Sequence, residues 1–172
     1  MCALLPRVEV QTRVLVVMHH FEAVRSTNTG RLAARMLSGA TVRLRGAKDT
    51  VAEAPPEGRR LVLYPADDAR PLVPSDAADN LVLVVPDGTW TQARRIHRRD
   101  PACRDAVSVT LPDAGESGYG LRRNPRPGGL CTLEAIAAAL GVLEGPAVAS
   151  ALHAGFALWL QRARAVRDGT LA

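Results

Sequence analysis

Aromatic side chains are scarce in this sequence, since Phe, Trp and Tyr make up only 3% of its 172 residues. Proteins that hold single-stranded nucleic acid on flat platforms stack the bases on aromatic rings. A protein of that class is therefore not indicated, and the core must be built from Leu, Val and Ala. A chain of this length buries a sizeable core but is short for two ordinary domains, so we expect a single domain over 1–172.

Cysteines are too few and too widely spaced to form a metal site or a disulfide framework. Cys2, Cys103 and Cys131 include no C-x-x-C pair, so neither a complete zinc site nor a disulfide set is indicated, and we expect reduced thiols. The adjacent His19 and His20 have no matching ligand spacing elsewhere. We therefore expect loop histidines that cap a helix or touch a substrate, and no metal ligands.

Long apolar runs and the common catalytic signatures are also missing. No run approaches the roughly 18 residues that span a membrane, and no signal-peptide pattern follows Met1, so we expect a cytosolic protein without membrane contact. The phosphate loop G-x-x-x-x-G-K-[ST] and a G-x-G-x-x-G between strand and helix are absent. An ordinary nucleotide triphosphatase or dinucleotide enzyme is thus not indicated. Hydrolase chemistry is unsupported, because there is no G-x-S-x-G elbow.

Lysine is nearly absent as well, whereas arginine is abundant. Lys48 is the only lysine among 22 cationic residues, which exceed the 17 acidic residues and give a formal charge of +5. An arginine-biased genome explains the ratio of arginine to lysine but not the excess over acids. Because arginine stays charged and binds phosphate bidentately, this balance suits a polyanionic partner.

Short apolar runs alternate with helix-forming stretches along the chain. The run Leu81–Val85, closed by Pro86, is typical of a strand buried on both faces, which predicts a central strand of a parallel sheet. Further strands are predicted at Val14–Met18, Thr41–Arg45, Leu61–Tyr64 and Val107–Leu111. Helices are predicted from Thr89 to Arg95, Arg31 to Leu37, Thr132 to Leu140 and Pro146 to Arg167. The pattern predicts an α/β domain with a largely parallel sheet flanked by helices.

Polar loops follow several of these strands. In open α/β sheets ligands bind outside the carboxyl ends of the strands, so Asp87, which directly follows the predicted central strand, stands where chemistry is expected. The alternative is that Asp87 is only a carboxylate favoured by the dipole of the next helix. The glycine-rich segment Pro112–Leu130 also follows a strand and precedes a helix. We expect it to fold back as a ligand-binding loop, with a mobile surface loop as the alternative.

Several motifs in order resemble those of the DTW-domain proteins. The D-x-T-W motif is Asp87, Thr89 and Trp90, followed by Gln92-Ala93-Arg94. The similarity covers nearly the whole chain. Its other parts are Arg13 to His20, Arg25 with Asn28-Thr29 and Arg31-Leu32, Leu63-Tyr64-Pro65, and Tyr119-x-Leu121-Arg122 with Pro125 and Leu130-Cys131-Thr132-x-Glu134-Ala135.

The resemblance implies a SPOUT-like α/β-knot fold and a tRNA-uridine aminocarboxypropyltransferase. Such enzymes move the 3-amino-3-carboxypropyl group of S-adenosylmethionine to N3 of a tRNA uridine and release methylthioadenosine. The implied donor is S-adenosylmethionine and the implied partner is tRNA, while monomer and homodimer both stay open.

The chain departs from the family pattern at two places. The family carries an N-terminal cysteine cluster that looks zinc-binding, and only Cys2, at the place of its last cysteine, is present here, so zinc is doubtful. The usual Ser before Thr132-x-Glu134-Ala135 is Cys131, a change between small residues that is expected to preserve a contact made by the backbone.

The resemblance also implies roles for individual residues. Because uridine N3–H is a weak acid, we expect Asp87 to act as the general base. The donor's carboxylate suits Arg122 or Arg25. Thr89 is expected to be structural or to face the donor, and Trp90 is expected to pack the pocket. The expected donor-binding residues are Tyr64, Pro65, Asp87, Gly88, Thr89, Tyr119, Leu121, Arg122, Leu130, Thr132 and Glu134. The expected tRNA-binding residues are His20, Arg25, Asn28, Arg31, Trp90 and Arg94.

Two other functions fit the same sequence. A SPOUT-type RNA methyltransferase would use the same fold and donor, but its product would be S-adenosylhomocysteine. A catalytically silent RNA-binding protein would account for the positive charge and for the missing cysteine cluster.

Overall fold

The computed structural model describes residues 5–47, 53–112, 117–119 and 129–169. Strands and helices alternate along most of this part of the chain. The strands are β1 Arg13–His19, β2 Ala40–Arg45, β3 Arg60–Leu63, β4 Arg70–Pro71, β5 Val82–Asp87 and β6 Val107–Thr110. The helices are α1 His20–Ala23, α2 Thr29–Met36, α3 Trp90–Arg99, α4 Thr132–Glu144 and α5 Pro146–Arg167, with a 3-10 turn at Pro74–Asp76.

The described strands form one parallel sheet in the order β2-β1-β5-β3-β6-β4. β5 lies inside the sheet between β1 and β3, so the prediction of a central strand is confirmed. β1 pairs directly with β5, with Val16 opposite Val85 in the register. The sheet and its flanking helices confirm the α/β class.

Both faces of the sheet are covered, because successive residues of the inner strands point to opposite sides. Val14, Val16 and Met18 of β1 face the larger core under α2, α4 and α5, whereas Leu15 and Val17 face a smaller core under α3. The final helix has the predicted bounds. Its Trp159 lies in the larger core, as the spacing of its apolar residues indicates.

Two details differ from the predictions. The central strand continues through Pro86 to Asp87, which is paired in the register with Met18 of β1. Proline removes only one donor from the ladder and its φ is compatible with extended backbone, so Pro86 does not end the strand. The sequence of Pro71–Asp79 predicts a short linker or helical turn, and the 3-10 turn agrees with this, but the stretch also contains the end of β4, which was not predicted. A strand of two residues is too short to produce an apolar pattern.

The knot implied by the family resemblance stays a prediction. Residues 113–116 and 120–128, which lead into α4, lie outside the described part of the chain. Most of the predicted folded-back loop falls on the same residues. In the ranges that are described, no helix combines the length and the apolar character needed to cross a membrane.

One carboxylate ties the short connection before β5 to its surroundings. Asp76 is buried and accepts hydrogen bonds from Arg70 at 2.6 and 2.7 Å, from Arg59 at 2.8 Å and from the Val73 amide at 3.1 Å. The hydrogen bonds from Arg70 are the largest cause that lowers the pKa of Asp76 to about 2, and they outweigh the opposite effect of burial. Since two arginines share this acid, removing it leaves both without their partner.

We expect Asp76→Asn to lower the free energy of unfolding by about 2 kcal/mol near neutral pH, the usual contribution of hydrogen bonds to a charged group. The folded pKa lies below the unfolded value of about 3.9, so this contribution is present above that value and is lost as the pH falls toward the folded pKa. Urea unfolding of both proteins between about pH 6 and about pH 2 measures the difference. A difference that stays constant over this range would contradict the assignment.

Candidate functional site

Three loops begin at the same edge of the sheet. His19 ends β1, Asp87 ends β5 and Tyr64 directly follows β3. Because these neighbouring strands are parallel, their carboxyl ends lie together, and we call this region, defined by His19, Tyr64 and Asp87, the carboxyl edge. The sequence-based expectation that polar loops gather here is confirmed for these three positions.

Asp87 is almost completely buried at this edge, with 2% of its surface exposed. One carboxylate oxygen accepts a hydrogen bond from the Asn28 side-chain amide at 2.8 Å, and the other accepts one from the Thr132 hydroxyl. Asn28 is the N-cap of α2, and Thr132 is the first residue of α4. The carboxylate therefore joins the central strand to the amino ends of two helices, where helix dipoles stabilise negative charge.

The helix that follows Asp87 begins at a different residue. Thr89 caps α3: its hydroxyl accepts from the Gln92 amide at 3.3 Å, and its own amide donates to the Gln92 side chain at 2.8 Å. Thr89 therefore performs the capping of α3, whereas the hydrogen bonds of Asp87 go to α2 and α4. The choice for Asp87 between a general base and a carboxylate favoured by a helix dipole stays a prediction. Thr89 thus has a structural role as a cap, and its expected contact with the donor stays a prediction.

Gly30 is a site residue that the sequence interpretation missed. A Cβ atom at this position would lie 2.8 Å from an Asp87 carboxylate oxygen and 3.2 Å from the Val16 side chain. Glycine in a helix costs about 1 kcal/mol relative to alanine, so its presence in the first turn of α2 was the available signal. The carboxylate packs directly against the α2 backbone because residue 30 has no side chain.

Glu134 holds the start of α4 and part of the preceding loop together. Its carboxylate accepts from the Cys131 amide at 2.8 Å, the Ser117 hydroxyl at 2.6 Å and the Gly118 amide at 2.8 Å. Burial acts to raise the pKa of Glu134, but these hydrogen bonds outweigh it and hold the pKa below its ordinary value. Cys131 acts here through its backbone, as expected for a small residue at this place.

Tyr119 closes the same side of the site. Its hydroxyl donates to the Thr27 carbonyl at 2.7 Å, just before α2, and its ring stacks at 6.0 Å from Phe156 and 6.5 Å from Trp159. Residues 117–119 are thereby fixed between α2, α4 and α5. This is the part of the predicted folded-back loop that the structure describes, together with Pro112, Gly129 and Leu130.

Two aromatic positions at the edge have different surroundings. The ring of Tyr64 stacks on His97 of α3 at 4.5 Å between ring centres, and His97 contacts Ser108 at 2.9 Å. Trp90 is the first residue of α3 and 41% of its surface is exposed. This position is compatible with a ring that borders the site, and the expected roles of Trp90 in packing the pocket and in binding tRNA stay predictions.

His19 contributes an imidazole to the carboxyl edge. Its Nδ1 accepts from the Phe21 amide at 3.4 Å and so caps the short helix α1. Burial, with the neighbouring positive charges of His20 and Arg95, lowers the pKa of His19. The ring is therefore neutral near pH 7, where it offers one donor and one acceptor.

The remaining predicted site residues are distributed around this edge. Arg25 is exposed and lies 3.5 Å from Glu22 in an ion pair, and the amide of Arg31 donates to the Asn28 side chain at 2.7 Å. Arg94 is exposed on α3, and Pro65 is exposed after Tyr64. Leu121 and Arg122 lie outside the described residues. The binding roles expected for all of these residues, and for His20, Gly88 and Leu130, stay predictions.

Metal ligands are not gathered at this site. Over the described ranges, no group of three or more His, Cys, Asp or Glu side chains could hold a metal ion. Cys2 is not among these residues. Burial raises the pKa of the Cys131 thiol to about 12, so this thiol stays protonated and is a poor nucleophile.

Comparison with known proteins gives one family and a small set of relatives. The family model described as the DTW domain matches residues 1–164. A Drosophila melanogaster protein named tRNA-uridine aminocarboxypropyltransferase 2 is 44% identical over 85 residues, which cover 49% of this chain and 34% of that protein. A Macaca fascicularis protein of the same name is 27% identical over 157 residues, covering 84% of this chain and 52% of that protein. The chain thus spans about a third to a half of the length of these relatives. No solved structure matches.

The close contact at Gly30 predicts the effect of a single methyl group. We expect Gly30→Ala to lower the free energy of unfolding by about 1–3 kcal/mol. The steric cost of the new Cβ against the Asp87 carboxylate should exceed the gain of about 1 kcal/mol from the better helix propensity of alanine. Gly39→Ala is the matched control, since a Cβ there would meet no atom closer than 3.6 Å. Chemical unfolding measures both variants. Equal stability of the two would show that the α2 backbone is not tightly packed on Asp87.

Proposed function

Because this chain belongs to the DTW-domain family, we propose that it is a tRNA-uridine aminocarboxypropyltransferase with S-adenosylmethionine as its donor. The observation that carries the proposal is the position of the D-x-T-W turn. Its aspartate ends the central strand, and its threonine begins the helix at the carboxyl edge, where α/β proteins bind their ligands. The names of the two relatives supply the reaction.

The residues at the carboxyl edge fit such a donor by their chemistry. S-adenosylmethionine would supply an electrophilic carbon next to a sulfonium, together with an amino group and a carboxylate. The exposed guanidinium of Arg25 suits the carboxylate, with Arg122 as the alternative. Asp87 would supply negative charge for the sulfonium and the amino group of the donor. Gly118 is exposed, and a Cβ there would meet only Glu134 at 3.8 Å, so the backbone is open to close approach by a ligand.

Asp87 is the proposed general base. In the reaction, N3 of uridine loses its proton, forms a bond to the donor carbon, and methylthioadenosine leaves with the electrons of the broken carbon–sulfur bond. Each oxygen of Asp87 accepts one hydrogen bond from the protein and has capacity for another. The Thr132 hydroxyl hydrogen can rotate away, which would leave an oxygen open to the uridine N3–H.

Positioning is the second contribution that we propose. A displacement at carbon needs the attacking and leaving atoms in line, and holding two substrates in that geometry removes much of the barrier. The capping pair of Thr89 and Gln92 fixes the turn after Asp87, and Glu134 fixes the loop on the other side. Both walls of the edge are therefore held by hydrogen bonds before any substrate binds.

The direct test is incubation of the purified protein with unmodified tRNA transcripts and carboxyl-labelled S-adenosylmethionine. We expect the label to enter tRNA, a uridine carrying the 3-amino-3-carboxypropyl group to appear in nucleoside mass spectrometry, and methylthioadenosine to form in equal amount. Methylated tRNA with S-adenosylhomocysteine would identify a methyltransferase. Bound tRNA without donor binding or transfer would identify a silent RNA-binding protein.

Replacing Asp87 separates its chemical role from its structural role. In Asp87→Asn the amide oxygen can accept from Asn28 while the amide NH₂ donates to the Thr132 hydroxyl, so the bonding pattern is kept. We expect the unfolding free energy to fall by about 1–2 kcal/mol and the single-turnover transfer rate to fall by roughly 100-fold or more.

Thr132→Val is the control for this variant, since it removes one hydrogen bond to Asp87 and leaves the carboxylate. We expect a similar loss of stability but a rate within about tenfold of the original, because the base is still present. Near-normal transfer by folded Asp87→Asn would remove Asp87 from the catalytic role. Equal losses of rate in both variants would mean that Asp87 acts only by joining β5 to α2 and α4.

A further inference from the structure

Four exposed arginines form one stripe along α3. The adjacent pair Arg94 and Arg95 is followed one helical turn later by the adjacent pair Arg98 and Arg99, and together with Thr91 they line a surface depression. The opposite side of the helix carries Ala93 and Ile96, which are buried toward the sheet. We call Arg94, Arg95, Arg98 and Arg99 the arginine face.

The arginine face has no acidic partners in the described part of the chain. No ion pair joins any of its four guanidinium groups to an acid there, and the nearby Asp100 is bonded instead to Arg45. Like charges three and four residues apart destabilise a helix by about 0.2–0.5 kcal/mol per pair. The helix dipole favours Arg98 and Arg99 in the last turn but not Arg94 and Arg95 in the middle.

The arginine face also adjoins the candidate site. α3 begins directly after the turn that follows Asp87, and the exposed Trp90 is its first residue. Arg95 lies near enough to His19 at the carboxyl edge to help lower the pKa of that histidine. From Arg94 to Arg99 the helix rises by about 7.5 Å, so the positive stripe runs from the site outward along the surface.

We propose that the arginine face is the docking surface for the sugar–phosphate backbone of the tRNA whose uridine enters the carboxyl edge. Arginine binds phosphate bidentately, and a polyanion would relieve the repulsion among the four guanidinium groups. This assignment rests on the proposed function, which requires a tRNA strand at the edge where α3 begins. Of the four arginines, only Arg94 belongs to the D-x-T-W region of the resemblance, so Arg95, Arg98 and Arg99 are new assignments.

The test uses a triple variant, Arg95→Gln, Arg98→Gln and Arg99→Gln, which keeps Arg94. Glutamine has nearly the helix propensity of arginine, so α3 should stay folded, and thermal melting checks this. The control variant, Arg7→Gln, Arg162→Gln and Arg164→Gln, loses the same charge on the opposite side of the sheet. Arg162 and Arg164 lie on α5, and the segment next to Arg7 contacts α5 through Pro6 and Gly155.

Affinity for a fluorescent tRNA transcript is measured without donor over a range of salt concentrations. Each phosphate contact contributes about 0.7–0.9 to the slope of log affinity against log salt. We expect the triple variant to lose about tenfold or more in affinity at about 0.1 M salt and about 2 in slope. The control variant should stay within about twofold of the original protein, and transfer by the triple variant should recover at saturating tRNA.

Equal affinity and slope for the two variants would overturn the proposal. The proposal would also be overturned if the triple variant bound tRNA as well as the original protein does but had lost binding to anionic lipid vesicles. That result would assign the face to a membrane. Because the binding assay does not depend on turnover, failure of the proposed function is recognised separately. An original protein that transfers no group, with a triple variant that still loses tRNA affinity, would support the arginine face and reject the transferase.

Discussion

The site depends on one buried carboxylate that receives hydrogen bonds from two distant parts of the chain. Asp87 at the end of β5 bonds to Asn28, 59 residues earlier, and to Thr132, 45 residues later. A buried charge is costly unless it is hydrogen-bonded, so the sheet, α2 and α4 must be assembled together for this charge to be tolerated. Gly30 completes the arrangement, because only a residue without a side chain lets the α2 backbone reach the carboxylate. The fold and the candidate chemistry therefore depend on the same contacts.

The two faces of the sheet carry different cores and different helices. Three helices cover the face with the larger core. Asp87, Glu134 and Tyr119 hold the starts of two of them, α2 and α4, and residues 117–119 of the loop before α4. On the other face, α3 contributes its buried side to a smaller core and its arginines to the surface. The D-x-T-W turn connects these two parts. Its aspartate belongs to the buried junction, and its threonine begins the basic helix, so the proposed donor site and the proposed RNA-binding face lie next to each other.

Much of this arrangement was predictable from local sequence patterns. Apolar runs such as Val14–Met18 and Leu81–Val85 indicate buried parallel strands, and their order indicates which polar loops share an edge. Contacts between distant segments leave no such local pattern. The shared hydrogen bonds of Asp87, the closeness of Gly30 to it and the network around Glu134 depend on packing that forms only in the folded chain. The partial exposure of Trp90 also depends on such packing and cannot be read from its apolar character alone.

We propose above all that the D-x-T-W turn at the carboxyl edge is the donor site. A crystal structure of the protein with S-adenosylmethionine bound tests it most directly. We predict that the donor lies against the ends of β1, β3 and β5, with its methionine part facing Asp87 and its adenosine near the backbone of Tyr64 and Pro65. A donor bound at the opposite edge of the sheet or along α3, away from the Asp87–Thr89 turn, would contradict the account.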